Sequence, residues 1–578
     1  MTRPLLSALA ALERNDRDTA RALCTSHPAA PGLQAVAGWL AEHEGQEVSG
    51  FLPALLAGRV AAAIPPALPQ TMLQEFLALA QFGLTQHGAG RRDLADLAYR
   101  TVLAIDPRQR ECMAMMGALL AQDGDMTGAG TWLVRHRDLH GPNPEVASNL
   151  SIVAKHSIKA MGSPPQDEAG VLAMARMLVD RFRHVDGAYQ QAALRVGSVA
   201  SSRLTQGRYE DALRISRLAL ALDPAMPEVW SNTGYALEFS GKAEASVTPY
   251  RRGMRSQTDP SRHAYASLML LHVSMRLGHW HRFAELLPDK HNYEPLAWWR
   301  HFHPAPVWDG TIRPGAHILI LGESGFGDVI QCVRYAGWFS RRGMRVSFIC
   351  DRRLKALCAL AEGVSTVYTL QDRVPMTDWR ALSFDLFYML ERDPERPFGD
   401  APYIDLSRSD DPGPVLERRP GEMLVGLKWT TTAAEKDLPE ELLASLRVAP
   451  GVRFISLQPE PPADPAVLDV ERPLDGFFAD AETSFLRTAQ VIRQLDLVIT
   501  ADSVIAHLAG AIGAKTWVAL RTVPDWRWLL DRTDSPLYPS LTLFREPPDG
   551  GWEPVVAAMR DRLLDMQGQA DAGQAGSR

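Results

Sequence analysis

Cysteine is scarce in this chain, with 5 residues in 578. Cys24, Cys112, Cys332, Cys350 and Cys358 are scattered and odd in number. They show neither metal-ligand spacing nor a disulfide framework, so they are expected to be reduced thiols of a cytoplasmic protein. No apolar run reaches the roughly 18 residues that cross a bilayer, so no membrane span is expected. The apolar run after Met1 is short and soon meets Glu13, Arg14 and Asp16, which does not suit a signal peptide. Positive charge is not in excess: 61 Lys and Arg face 68 Asp and Glu, a net charge of −7, which argues against nucleic acid as a partner. What remains is ordinary globular composition, 46% hydrophobic and 22% charged, long enough for about three or four domains.

The first half is helical and carries a repeat. Leu5, Leu9 and Leu12 give one helical face, and further helices flank Pro65, Pro66 and Pro69. From Gly90 onward a pattern recurs: Gly90, Ala95, Tyr99 and Pro107 return as Gly124, Ala129, Leu133 and Pro142. It returns again at Gly207, Tyr209, Ala212, Ala219 and Pro224, and then from Trp230 through Gly234, Gly241 and Tyr250 to Pro260. Small residues let two helices of a hairpin approach, large ones fill the gaps, and the prolines stop the second helix. The period is close to the 34 residues of the tetratricopeptide repeat, which this stretch resembles. An all-α repeat domain is therefore expected over residues 1–285. Its concave face would dock a protein partner; a plain scaffold is the other reading. Residues 286–315, rich in Trp and Pro, read as an aromatic-packed linker, with His301 and His303 too few for a metal site.

Residues 316–412 alternate strand and helix, and residues 422–566 do so again. The first set is read as strands 317–321, 345–350, 364–370 and 384–389, with helices 328–342, 353–361 and 377–381. The second is read as strands 423–429, 453–457, 495–500 and 516–520, with helices 439–446, 482–494 and 503–512, and a last helix 553–566. Residues 567–578 are expected to be disordered. Two Rossmann-like halves with parallel sheets predict a cleft between them, with ligand at the carboxyl ends of the strands.

Three loops should face that cleft. The first follows the strand at Ile318–Leu321 and runs Gly322-Glu-Ser-Gly-Phe-Gly-Asp328. Gly325 and Gly327 let a ligand approach the backbone, and Asp328 opens a helix. No G-K-[S/T] follows, so this is no P-loop, and the glycine order is not the dinucleotide fingerprint. The second loop, Trp429 to Lys436, offers the hydroxyls of Thr430, Thr431 and Thr432 and the compact charge of Lys436 for a phosphate. The third places Asp502 and Ser503 as N-cap residues before Val504 and His507. The free N–H groups of that helix suit a diphosphate without a metal. Bland readings stand beside these. Asp328 would only cap its helix, Lys436 would be a solvated charge, His507 a hydrogen-bonded helix residue, Glu323 a prop for the turn, and Trp526 and Trp528 core.

Residues 290–566 resemble the GT-B glycosyltransferases related to the lipopolysaccharide heptosyltransferases, and bacterial proteins that fuse tetratricopeptide repeats to such a domain. The resemblance rests on Trp308-Asp-Gly310, Gly322–Asp328 with Ile330-Gln331 and Val333-Arg-Tyr335, Val425-Gly-Leu-Lys-Trp429, Thr500-Ala-Asp-Ser-Val-Ile-Ala-His507, and Pro524-Asp-Trp-Arg-Trp528. It implies a GT-B fold of two Rossmann-like halves and a nucleotide-sugar co-substrate, with no cofactor and no metal. Asp328 would be the catalytic base. Gly325, Gly327, Thr431, Thr432, Lys436, Asp502, Ser503, Val504 and His507 would bind the donor. Val504 stands where the family has glycine, so an ADP-heptose donor is not assumed. No Asp-x-Asp metal motif is evident in the expected place. Repeats fused to this domain are similar to bacterial flagellin glycosyltransferases, which implies a protein acceptor held by the repeats, with flagellin Ser or Thr and a nonulosonic acid such as pseudaminic acid as the narrow form. A glycolipid transferase and a non-catalytic interaction protein with a decayed transferase domain are the rival readings.

Overall fold

The structure, a computed structural model, describes residues 16–27, 70–160, 167–182, 188–282, 302–391, 401–448, 451–478 and 482–575, with a few isolated positions besides. Among these, the regular elements before residue 280 are all α-helices, running in succession from Arg17–Ser26 to Pro260–Arg276. Their hairpins explain the repeat. Gly90 and Gly124 are 34 residues apart, as are Gly207 and Gly241, and all four have φ between 71° and 87°. Each ends a helix in the left-handed conformation that glycine tolerates best. Within the hairpins, Gly83, Gly117 and Gly234 face Tyr99, Leu133 and Tyr250, each sixteen residues on. A Cβ at Gly234 would lie 2.7 Å from the Tyr250 ring, so the small residue is what lets the second helix pack this close. Among the described residues no helix is long and apolar enough to cross a membrane.

The chain forms two compact units, residues 1–199 with 218–224, and residues 200–217 with 225–578. The boundary expected at 285 is therefore not where the units part. Leu271, Met275 and Trp280 share one buried core with Ile318, Ile320 and Phe387, and the Trp280 ring meets Phe387 edge-on at 5.5 Å. Burial of these apolar side chains makes that junction part of the α/β body. The described end of the expected linker also belongs to that body. Trp308 N donates to Arg380 O at 2.8 Å and Arg380 N to Pro306 O at 2.9 Å, a strand-like pairing along the sheet edge. His303 spends both ring nitrogens, one accepting from Ala305 N at 3.2 Å and one donating to Pro375 O at 3.1 Å. Trp298, Trp299 and His301 lie outside the described residues.

Two parallel sheets follow, the Rossmann-like pair of a GT-B architecture. The first has β1 (His317–Leu321), β2 (Arg345–Ile349), β3 (Val364–Tyr368) and β4 (Trp379–Leu382) in the order β3-β2-β1-β4. The second has β5 (Met423–Lys428), β6 (Val452–Ser456), β7 (Leu497–Ala501), β8 (Thr516–Leu520) and β9 (Leu541–Arg545) in the order β6-β5-β7-β8-β9. β1, β7 and β8 are buried along their whole length, as central parallel strands are. The structure differs from expectation in four places. The stretch read as a strand at 384–389 is the helix Ser383–Leu390, and the helix read at 377–381 is β4. A short segment apolar on every side has no periodicity that separates strand from buried helix. β9 was not foreseen; Leu541 and Leu543 alternate inward in a stretch between two Pro-rich segments. The last helix continues to Ala575 into the stretch expected to be disordered, because Ala and Gln extend an already nucleated helix at little cost.

Candidate functional site

The carboxyl ends of β1, β5 and β7 open on one cleft of 830 Å³. Gly325, Gly327, Asp328, Thr431, Thr432, Lys436, Asp502, Ser503, Val504 and His507 all line it. The three loops expected to meet do meet, and each is built differently.

After β1 the chain turns sharply. Gly322 N donates to Ile349 O at 2.8 Å, and a side chain at Gly322 would strike that same oxygen. Glu323 faces inward: its carboxylate accepts from Phe384 N at 3.0 Å, and its own N–H donates to Ser383 Oγ at 3.2 Å, so it props the turn. Ser324 sits at φ 69°. Asp328, the third residue of the helix Phe326–Cys332, reaches back and accepts from Gly325 N at 2.6 Å. This is the reciprocal half of a capping box. Its other oxygen pairs with the Arg527 guanidinium. Burial pushes the Asp328 carboxyl above its usual range, against the opposing pull of Arg527 and the Gly325 N–H.

After β7, Ser503 caps the helix Val504–Ala511 by accepting from Ile505 N at 3.2 Å, and its hydroxyl meets Thr500 Oγ1 at 2.9 Å. Asp502 is held from two sides, by Lys436 Nζ at 2.7 Å and by Trp528 Nε1 at 2.7 Å. His507 is 6% exposed. Its Nδ1 meets Tyr538 Oη at 3.0 Å, and its ring stacks on Trp528 at 5.4 Å. Burial, reinforced by the nearby Arg527 charge, lowers its pKa to about 3, so the imidazole is neutral. The two helix starts press together: a Cβ at Gly327 would lie 2.6 Å from His507 Cδ2. Gly327 is thus fixed by helix packing, whatever it does for a ligand.

After β5, Thr431 is committed to its own turn. Its N–H donates to Asp437 Oδ1 at 2.6 Å and its hydroxyl to Ala433 O at 2.7 Å. Thr432 is exposed at the mouth. Lys436 ends a single 3-10 turn; burial opposes its charge, but Asp502 outweighs this and lifts its pKa.

Sequence reasoning passed over three residues of this cleft. Lys428 lines it and donates to neutral groups, Thr430 Oγ1 at 3.0 Å and Gln458 Oε1 at 3.4 Å; burial lowers its pKa against the opposing pull of Glu460 and Asp437. Arg527 is buried and joins Asp328 to Asp525 (2.7 Å) and Gln331 (2.6 Å). Asp525 is held well below the usual carboxylate range by Arg527, against its own burial. In Pro524-Asp-Trp-Arg-Trp528 the two rings are core. The usable signal was the pair of charges on either side of Trp526, Asp525 and Arg527, since charges among tryptophans must be paired to be buried. Among the described residues no group of three or more His, Cys, Asp or Glu is placed to hold a metal ion.

No family model matches the chain, and no curated protein matches it. Among solved structures it is similar to a glycosyl transferase family 9 protein of Veillonella parvula, at 13% identity over 41% of this chain and 87% of that one, TM-score 0.28. It is similar to the E. coli heptosyltransferase WaaC with ADP, at 13% identity over 43% and 97%, TM-score 0.28. It is also similar to a Thermobaculum terrenum O-GlcNAc transferase mutant, at 15% identity over 80% and 94%, TM-score 0.22. Scores this low do not assign the chain to a family.

Proposed function

We propose that the chain is a glycosyltransferase that moves a sugar from a nucleotide-sugar donor to a hydroxyl of a protein acceptor recruited by the repeats. The observation that carries this reading is the meeting, in one cleft between two parallel sheets, of a half-buried carboxylate with a raised pKa, two lysines and a hydroxyl-capped helix start. Asp328 takes the proton of the acceptor hydroxyl as its oxygen bonds to the anomeric carbon. The bond from that carbon to the donor phosphate breaks, and the electron pair leaves with the phosphate. Lys436, Lys428 and the start of the helix Val504–Ala511 stabilise the charge that develops there. Transfer needs no metal on this reading, and continued turnover in excess chelator is the result expected. The narrow form takes flagellin Ser or Thr as the acceptor and a nonulosonic acid as the sugar. It rests on the pairing of repeats with this α/β body.

One observation favours a non-catalytic reading: both Asp328 oxygens already have partners, as in a purely structural cap. The discriminating experiment is thermal stabilisation against CMP, UDP, ADP and GDP, followed by sugar transfer to purified flagellin. A shift with one nucleotide, lost in Lys436→Ala, supports the donor site and names its class. No shift with any nucleotide sinks the transferase reading. A shift with UDP, ADP or GDP but not CMP removes the CMP-linked nonulosonic acid and leaves the transferase standing.

A further inference from the structure

The turn that carries Asp525 and Arg527 is strained and is anchored both from its own sheet and from outside it. It spans Trp526–Trp528 and ends at Leu529 with φ 52°, a conformation that costs a branched side chain energy. Among the described residues the two non-glycine residues with positive φ are Leu529 and Ser324, and Ser324 lies in the loop leading to Asp328. Strain of this kind persists only where surrounding contacts impose it. One anchor comes from β9, where Arg545 Nη1 donates to Leu529 O at 3.0 Å. The other comes from the repeats. Arg276, the last residue of the helix Pro260–Arg276, donates through Nε to Pro524 O at 2.8 Å.

Arg276 is buried, and its guanidinium is aimed by an ion pair with Glu238, which also accepts from the Tyr250 hydroxyl at 2.6 Å. A planar fork pinned on one edge by a buried carboxylate presents Nε in one direction only. The carbonyl it meets belongs to the residue just before Asp525, which in turn holds Arg527 against Asp328. We infer that Arg276 is a positioning residue of the cleft: from the last repeat helix it fixes the turn that sets Arg527 against Asp328 and Trp528 against Asp502. The repeats on this reading supply part of the frame of the reacting centre as well as any docking surface. The consequence for transfer rests on the function proposed above; the positioning itself does not.

The test uses the full chain and a readout that needs no activity, amide hydrogen exchange resolved by peptide. Arg276→Met with Glu238→Gln keeps the apolar stem and leaves no bare buried charge. In that double variant, exchange over 524–530 should quicken about tenfold, with β7 and β8 unchanged. Glu238→Gln alone, which keeps an acceptor for the guanidinium but removes the carboxylate that aims it, should quicken exchange over 524–530 by less than the double variant. If the double variant does not fold, Arg276→Lys serves, since lysine retains the charge for Glu238 but not the rigid fork. Unchanged exchange over 524–530 in a folded variant overturns the inference, as does a uniform rise across all peptides. Where transfer is measurable, kcat should fall and its acid limb should move, an effect that lost stability alone does not produce. A wild-type protein without transfer activity would remove the proposed function and leave the exchange result to decide the positioning role.

Discussion

The loop after β1 and the loop after β7 both leave a buried parallel strand and start a helix, yet they cap that helix in opposite ways. Asp328 reaches back from inside its helix and places a carboxylate on the N–H of Gly325. Ser503 caps from outside with a neutral hydroxyl. A carboxylate at a helix start occupies the place an anion would take, whereas a hydroxyl cap leaves the positive end open. The same local motif therefore yields a loop suited to holding a proton and a loop suited to holding a phosphate. Charges nearby follow the same division. Arg527 is spent on ion pairs with Asp328 and Asp525, while Lys428 lines the cleft with hydrogen bonds to neutral groups and only longer-range attraction from Glu460 and Asp437.

The largest test of this division is Asp328→Asn. Asparagine still accepts from Gly325 N, so the cap survives while the base is lost. Transfer should fall by about 100- to 10,000-fold with the nucleotide-induced thermal shift retained. Equal loss of the shift, or retained transfer, would make Asp328 a cap and nothing more. Arg527→Met sharpens the point through pH. The Arg527 charge pulls the Asp328 pKa down against burial, so removing it leaves that pKa higher. The acid limb of the rate profile should then move to higher pH, read from kcat between pH 5 and 8.

Next in size is the contact between the two helix starts. Gly327→Ala puts a Cβ 2.6 Å from His507 Cδ2, and His507 is pinned by Tyr538 and Trp528. Overpacking of that kind costs about 1–3 kcal/mol, more than the gain in helix propensity, and a urea midpoint measures it. Gly325→Ala is the matched control. Its φ is −80°, and the nearest atom to a new Cβ is Asp328 Oδ2 at 3.1 Å. A change of roughly 0.5 kcal/mol or less is expected there. Equal losses at the two glycines would mean that the helix starts are not in fixed contact.

That pair also shows what the sequence could and could not reveal. Gly325 and Gly327 were visible as turn glycines, and the three loops could be brought to one cleft because strand–loop–helix order in a parallel sheet dictates which ends share a face. What Gly327 accommodates was hidden, because His507 lies 180 positions away and only tertiary packing brings them together. Arg527 was hidden for the same reason: its partners Asp328 and Gln331 belong to the other half. The repeat was legible at its 34-residue spacing, since turn glycines and small–large pairs are local. The place where the repeats join the α/β body was not, since Arg276 and Trp280 declare their role only through Pro524 and Phe387. β4 and the helix Ser383–Leu390 were exchanged because full burial erases the periodicity that separates the two.

The smallest effect concerns His507 and bears on which loop owns the contact. Its folded-state pKa is about 3, against an unfolded value near 6.5. Between those values the unfolded chain binds a proton that the folded chain refuses. Its contribution is therefore constant above the unfolded pKa and is lost as pH falls from there toward the folded value. The slope it adds is at most about 1.4 kcal/mol per pH unit. His507→Gln removes that slope without adding charge, so urea unfolding at pH 7, 6.5, 6 and 5.5 should give a flatter curve for the variant than for the wild type. Parallel curves would mean that the imidazole takes up its proton in the folded state, so that Nε2, which makes no hydrogen bond among the described residues, reaches water through the cleft. His507 would then belong with the phosphate-holding loop as a cation, and the contrast between a proton-handling and an anion-handling loop would have to be redrawn around it.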